Sequence, residues 1–371
     1  MKIGYNYLGA DDEPIKQALL PLCEKTREHK NLIFGYDPKR GRQIESLPCS
    51  ASTVERLLPG LRSWIYEEIF LPFAMAKSSI DLFFCPSANL PYRQPCKTAV
   101  TVKDLNPLMF LDEQPRGLEA AFKYKVRLAA AKKANRIITF SNTSKNLICR
   151  LLGMKNEKIE VLPYPVQKDF VPVYSESKIT EETKKQGLRS PYFIYCGGAS
   201  TRENLIELLG LFYSFLHAKN DTLLAIEGLD EKKAAEIKKT DSSGRLVFLG
   251  KLAPKEKCLV LNGASAFLST SLHETTCGEA LQAMACGIPI IAYETAAFSQ
   301  ILSHSAVLIK RGDNVSFIKA MKDAKDHPNM RLQMRALGIQ HSKLFTAEKF
   351  ASKMSEVFGK ILGERYLPDE K

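Results

Sequence analysis

Short apolar runs rich in β-branched and aromatic residues alternate with longer segments of helical period along most of the chain. A strand buried on both faces reads as a short continuous apolar run, so this alternation predicts parallel sheets with crossover helices. In the first half, KIGYNYL, NLIFGY, DLFFCPS, TAVTVKDL, RIITFS and IEVLPYPV predict strands, with helical patterns such as PIKQALLPLCEKTREH and FKYKVRLAAAKKA between them. A polar, lysine-rich stretch, YSESKITEETKKQGLRS, interrupts the series. The pattern then restarts with strands at YFIYCGG, TLLAIEG, RLVFLG, AFLSTSL, IPIIAY and AVLIK.

Two successive α/β series predict an α/β fold of two Rossmann-like, doubly wound domains facing across a cleft, with ligands beyond the carboxyl ends of the strands. A length of 371 residues suits two such domains. The expected boundaries are 1–170 for the first domain, 171–190 for a linker, 191–344 for the second domain and 345–371 for a closing helix. In that helix Phe350, Met354, Val357 and Ile361 recur at helical spacing.

At 45% hydrophobic and 25% charged, the composition is that of a globular chain able to bury a large core. The opening MKIGYNYLGADDEPIK puts acidic residues where a secretory signal needs a long apolar region, and no apolar stretch nears the ~20 residues that span a bilayer. The expected location is cytoplasmic, with peripheral contact at the inner face of the membrane as the variant. Nine cysteines stand at scattered spacings, as at Cys85, Cys149, Cys196 and Cys286, with no C-x-x-C pair or Cys/His cluster. They read as small core residues in a reducing compartment, and no metal is expected. The net charge of +12 admits nucleic acid, an anionic membrane, a phosphorylated substrate or a merely basic surface. Nucleic acid is the weakest of these, because no nucleic-acid module or aromatic–basic interleaving accompanies the charge.

HETTCGEALQAMACGIPII, His273 to Ile291, changes character halfway. Mostly polar residues lead into an Ala-rich helix pattern that begins near Gly278 and stops at Gly287, and a β-branched strand follows. The polar half follows the strand AFLSTSL, where a doubly wound domain holds a nucleotide and a helix N-terminus offers free N–H groups to an anion. Glu274 in that loop can accept hydrogen bonds from sugar or ribose hydroxyls, or stand as a solvated loop carboxylate.

Glu274, Gly278, Ala283, Met284, Ala285, Cys286, Gly287 and Pro289 together resemble the donor-site segment of family 4 GT-B glycosyltransferases, within glycosyl transferases group 1. That segment reads roughly E-G-F-G-x-x-x-x-E-A-M-A-C-G-x-P-V-I. YFIYCGGASTRENLIELLGLF is similar to the first strand, glycine turn and helix of that family's donor domain. RIITFSNTSKNLICRLLGMKNEKIEVLPYPV is similar to the end of its acceptor domain, and TAVTVKDLNPL to its T-I-H-D-L-x-P-L segment. The likeness runs from about Asp81 to Ile361 and leans toward a mannosyltransferase-like branch. It implies transfer of a sugar, with retention, from a nucleotide diphospho-sugar to a carbohydrate or lipid-linked acceptor, as in polysaccharide or lipopolysaccharide assembly. It also implies a donor on the C-terminal domain, an acceptor on the N-terminal one, a last helix that packs back on the N-terminal domain, and no cofactor. The chain has no D-x-D motif, so the departing diphosphate is expected to be met by helix N-termini and basic side chains.

The resemblance implies a donor set of Gly197, Gly198, Arg202, His273, Glu274, Cys277, Gly278, Glu279 and Gln282, an acceptor-side loop at Gly9, Asp11 and Asp12, and reacting groups at Lys103, Asp104 and Glu274. Several of these depart from the family. Gln282 stands where a second acidic residue is usual; it can still hydrogen-bond a ribose but carries no charge. Gly198 and Glu203 stand where an arginine and a lysine clamp the diphosphate, leaving Arg202 as the neighbouring cation. Ser200 and Glu203 also read as an S-x-x-E capping box that uses up the N–H groups a phosphate would take. Lys103 replaces the histidine of H-D-L and suits a phosphate better than a proton; Asp104 can orient an acceptor hydroxyl or cap the next turn. Asp11, Asp12 and Glu13 favour a helix start over a diphosphate. His273 reads as a loop-shaping residue, Cys277 falls where glycine is usual, and Glu279 reads as a first-turn partner of the helix dipole.

AFKYKVRLAAAKKANR carries six basic residues. With Phe122, Val126 and Ala129 or Ala130 on one side, it reads as an amphipathic helix with a solvated basic face, or as an attachment to anionic lipid. LRSWIYEEIFLPFAMA offers either exposed aromatics or a core helix. The alternative to an enzyme is a catalytically silent GT-B protein that binds a carbohydrate or a partner. YCGGASTREN lacks the G-x-G-x-x-G spacing, which argues against a dinucleotide oxidoreductase.

Overall fold

The computed structural model describes residues 2–6, 14–15, 17–19, 32–34, 66–216 and 221–363. Gly9, Asp11, Asp12 and most of the first anticipated helix lie outside these residues. The chain forms two units, Met1–Pro165 with Ala347–Lys371, and Val166–Thr346.

The first unit contains β1 (Ile3–Asn6), β2 (Leu32–Phe34), α1 (Leu71–Lys77), β3 (Leu82–Cys85), β4 (Lys97–Thr101), α2 (Leu118–Lys133), β5 (Arg136–Thr139), α3 (Asn142–Leu152) and β6 (Ile159–Val161). Its strands are parallel in the order β2-β1-β3-β4-β5-β6. Every residue of β1 and β3 is buried, as continuous apolar runs require when a sheet is covered on both faces. On one face, Phe83, Val100 and Ile137 pack with Leu71 and Met75 of α1, Leu128 and Ala131 of α2 and Ile148 of α3. α3 starts on Ser141, whose Oγ accepts from Ser144 N–H at 3.1 Å, and ends on Gly153 at φ 65°, a left-handed cap that suits glycine.

The buried stripe of α2 keeps Ala130 of the expected one and is otherwise displaced from it. Leu128 and Ala131 face the core, while Phe122 and Leu118, one turn apart, are exposed. In α1 the apolar residues divide the same way, with Leu71 and Met75 buried and Phe73 exposed.

The second unit contains α4 (Glu176–Lys185), β7 (Tyr192–Cys196), α5 (Leu205–Phe215), β8 (Leu223–Glu227), α6 (Glu231–Thr240), β9 (Leu246–Gly250), α7 (Pro254–Gly263), β10 (Ala266–Ser269), α8 (Gly278–Cys286), β11 (Ile290–Tyr293), α9 (Ala296–Leu302), β12 (Val307–Ile309), α10 (Asn314–Asp326) and α11 (Pro328–Ser342). Its parallel strands run in the order β12-β11-β10-β7-β8-β9. Strand order therefore reverses between β7 and β10, and the loops leaving their carboxyl ends flank the crevice where such sheets take ligands.

Residues 171–190 differ from the expected linker. Half of them form α4, which packs on α7. A Cβ on Gly263 of α7 would fall 2.5 Å from Tyr192 Oη and 3.0 Å from a methyl of Ile179 of α4, so the absent side chain lets the pair close. Composition alone hid this helix: it is lysine- and glutamate-rich because only Thr183 is buried.

The last helix, α12 (Ala347–Leu362), belongs to the first unit. Phe350, Met354, Val357 and Phe358 join Tyr5, Phe84, Ala99 and Ile138 in the core on the second face of that sheet. The rings of Tyr5, Phe84 and Phe358 meet edge to face at 5.6–6.4 Å, an arrangement aromatic quadrupoles favour.

Candidate functional site

The loop after β7 turns at Gly197 and Gly198 and reaches α5 only at Leu205. Ser200 is therefore not the N-cap that the capping-box pattern suggested; Asn204, in a left-handed conformation at φ 55°, holds that position. Glu203 folds back instead into the turn it follows. Its Oε1 accepts from Gly198 N–H at 2.9 Å, and its Oε2 accepts from Ser200 N–H and Ser200 Oγ, each at 3.0 Å. The sequence reading was right that Glu203 uses up these N–H groups and wrong about the helix it caps.

The loop after β10 lies against this turn. Leu272 N–H donates to Arg202 O at 2.8 Å, Asn204 Nδ2 to Thr270 O at 3.2 Å, and Thr270 Oγ1 to Asn204 O at 2.9 Å. Arg202 is thereby held over Glu274. Its guanidinium donates to His273 O at 3.3 Å and stands 3.4 Å from Glu203 and 3.9 Å from Glu274. His273 thus contributes its carbonyl to the loop's shape.

Burial raises the pKa of Glu274 above 4.5, against the opposing pull of Arg202 and a hydrogen bond with Ser271. Cys277 follows, buried and left-handed at φ 54° where a glycine carries no strain. Burial, with Glu274 beside it, raises its thiol pKa well above the ordinary value. Gly278 begins α8, and the helix ends on Gly287 at φ 79°. A side chain on Gly287 would meet Arg335 Cγ at 2.8 Å and Ile339 Cδ1 at 2.9 Å of α11. Gln282, one turn into α8, has a buried Oε1 with no hydrogen-bond partner among the described residues.

Glu279 lies in the first turn of α8, but its carboxylate serves another group. It binds the ammonium of Lys257 from α7, which also donates to Glu227 at the end of β8 at 3.0 Å. Lys257 and Glu227 are both buried, and Cys196 of β7 completes the cluster. Burial opposes the lysine charge, but Glu279 and Glu227 outweigh it and hold its pKa above the ordinary value. Burial also pushes the Cys196 thiol well up, so the thiol is neutral at neutral pH and the two carboxylates supply the attraction. The ligand atoms of Cys196, Glu227 and Glu279 lie within 4.8 Å of one another, the spacing of a metal site, and the Lys257 ammonium is the cation they surround.

Lys257 and Glu227 escaped the sequence analysis. Their signal was positional: Glu227 ends the apolar run LLAIE, and Lys257 interrupts the buried stripe of Cys258 and Leu261. A charge in an inward position requires a partner.

In the first unit, Lys103 and Asp104 follow β4, both half-buried. Asp104 Oδ1 accepts from Asn106 N–H at 3.1 Å, an Asx turn that leads into the short helical turn Asn106–Leu108. Burial and then Asp104 raise the Tyr124 pKa to about 12. Thr101 Oγ1, Asn106 Oδ1 and Tyr124 Oη are buried without hydrogen-bond partners among the described residues.

Residues 178–341 match the model of a family described as "Glycosyl transferases group 1". The chain is similar to the serotype-specific mannosyltransferase WbdA of Escherichia coli, with 20% identity over 285 residues that cover 75% of this chain and 34% of that protein. It is similar also to the O-antigen chain mannosyltransferase RfbU of Salmonella typhimurium (strain LT2), at 21% over 239 residues, 62% of this chain and 61% of that one. The chain therefore spans about a third of the first of these relatives. The crystal structure of Anabaena Alr3699/HepE in complex with UDP and glucose matches with a TM-score of 0.71 at 13% identity, over 97% of this chain and 99% of that one. Two parallel-sheet α/β units of this kind are the GT-B fold.

Proposed function

We propose that this chain, which belongs to the glycosyl transferases group 1 family through residues 178–341 and has the GT-B fold, transfers a sugar from a nucleotide diphospho-sugar to a carbohydrate or lipid-linked acceptor. The observation that carries this reading is the pair of interlocked loops at the β7/β10 switch point, which hold Arg202 3.9 Å from Glu274. In this proposal the Glu274 carboxylate accepts hydrogen bonds from donor hydroxyls and opposes the positive charge that develops at the anomeric carbon. Arg202 meets the charge on the departing diphosphate, and Gln282 Oε1 accepts from a ribose hydroxyl. No resident metal takes part in the proposed reaction. Thr101 Oγ1 at the end of β4, Asn106 Oδ1 after it and Tyr124 Oη of α2, buried without hydrogen-bond partners among the described residues, support a polyhydroxylated acceptor in the first unit. The names of WbdA and RfbU support a place in O-antigen or lipopolysaccharide assembly. Retention at the anomeric carbon rests on the resemblance, and the proton spectrum of the product tests it.

The test of the donor is titration calorimetry with UDP-, GDP- and ADP-sugars. One of them binds the wild type, and Gln282→Ala weakens that binding about 10-fold, the worth of one hydrogen bond. If no nucleotide-sugar binds at low or at high salt, the proposal is overturned.

Peripheral contact with an anionic membrane belongs to the same proposal. No helix among the described residues is long and apolar enough to cross a membrane. Leu111, Leu118 and Phe122 are exposed ahead of the exposed Lys125 and Lys132 of α2, a combination that suits lipid tails beside acidic headgroups. Phosphatidylglycerol-containing vesicles are expected to pull the protein down at low salt. Reversing Lys125 and Lys132 to glutamate should weaken this at least ~10-fold, since each basic residue contributes about 1 kcal/mol. Equal binding to neutral vesicles would contradict the electrostatic part.

A further inference from the structure

The turn after β7 is shaped around a carboxylate. Gly198 N–H and Ser200 N–H point at one anion, Ser200 Oγ donates to it, and the Arg202 guanidinium stands 3.4 Å away. Successive backbone N–H groups that converge in this way form an anion-binding nest. The anion in it is the chain's own Glu203, whose oxygens fill the space beside Gly198 so closely that a Cβ there would fall 2.6 Å from Oε2. Tyr195 Oη, donating to Gly198 O at 2.7 Å, fixes the turn from below.

From this we infer that Glu203 is an internal competitor of the donor's diphosphate: it occupies the phosphate subsite of the β7 loop and must leave before a phosphate enters. The inference rests on the donor reading above for the identity of the natural ligand. The nest itself requires only an anion. Three consequences follow from the geometry. With Glu203 in place, Arg202 lies between two carboxylates, Glu203 and Glu274, and its charge is spent within the protein. A diphosphate brought beside Glu203 meets like charge at a few ångströms and is repelled by it. Once Glu203 swings out, two N–H donors and one hydroxyl become available together beside the Arg202 guanidinium, so the subsite is formed in a single movement of one side chain. Glu203 thus sets both the affinity and the selectivity of the subsite, excluding weak monoanions that cannot displace a tethered carboxylate.

Binding of inorganic pyrophosphate, followed by calorimetry, tests this without a nucleotide. Wild type should bind it weakly, and Glu203→Ala at least 10-fold more tightly, because the nest is then open and Arg202 has one carboxylate fewer beside it. Glu203→Gln, which keeps the side chain's size and an acceptor oxygen but loses the charge, should fall between the two. Circular dichroism and thermal unfolding establish that each variant is folded. If a folded Glu203→Ala binds pyrophosphate no better than wild type, the inference is wrong; should that variant not fold, the absence of any gain in Glu203→Gln overturns it equally. The two proposals fail separately. A gain for pyrophosphate with no binding of any nucleotide-sugar would sustain the nest and remove the donor reading, whereas nucleotide-sugar binding to wild type without a gain in either variant would do the reverse.

Discussion

Replacing Lys257 with methionine is expected to cost the second unit about 3–5 kcal/mol, the range for removing one member of a buried ion pair. Lys257 and Glu227 are 8% exposed at their side chains and 3.0 Å apart, and Cys196 beside them is a neutral thiol that cannot take over the charge. Methionine fills the same volume, so the loss comes from a carboxylate left in a dry site and not from a cavity. In a unit of this size the melting temperature should fall by roughly 10 °C. Glu227→Gln in the same chain should return much of the loss, because the coupling between neighbours makes the double variant less damaged than the sum of the single ones. Differential scanning calorimetry of the three variants decides the matter; a Lys257→Met protein that melts with wild type would show that Glu227 has another partner.

Glu274→Gln is expected to lower sugar transfer by about 10²–10³-fold, the effect of removing one preorganised electrostatic partner of a reacting centre. The substitution keeps the shape of the loop and its hydrogen-bonding capacity, so the folding stability should change little. The pH profile gives a second and independent reading. Glu274 is active as the anion, so activity falls as it takes up a proton, and because burial raises its pKa that acid limb lies above the 4.5 of an ordinary glutamate. Glutamine does not titrate, and the limb should vanish from the residual activity of the variant. A residual profile with the same acid limb would assign it to another group and deny Glu274 this role.

The strands were legible in the chain because a parallel sheet covered on both faces writes its strands as unbroken apolar runs, and YFIYC, LLAIE and AFLS are such runs. The helix Gly278–Cys286 was legible from its alanines and its terminal glycine. Glu176–Lys185 was read as a linker because a helix that buries little more than Thr183 shows no apolar stripe, and its tertiary partner in Pro254–Gly263 is distant in sequence. The site divides in the same way. Glu274 lies on a loop whose position follows from strand order, so it could be named from the pattern, whereas Arg202 was named through the family resemblance, as the cation next to a missing lysine. Glu203 was placed as a helix cap because S-x-x-E is a local motif; only the actual path of the backbone showed the carboxylate turning back on Gly198. Lys257 stands about 60 residues from Cys196 and 22 from Glu279, and nothing local in KEKC announces three partners on three elements.

The last helix has a consequence for the order in which the molecule is made. Residues 166–346 separate the first unit's sheet from the helix that covers its second face. At a ribosomal rate of ~5–20 residues per second, that interval lasts roughly 10–40 s. Throughout it Tyr5, Phe84, Ala99 and Ile138 await Phe350, Met354 and Phe358. The second unit is complete in sequence before the first one is, so the N-terminal half of the nascent chain emerges first and closes last.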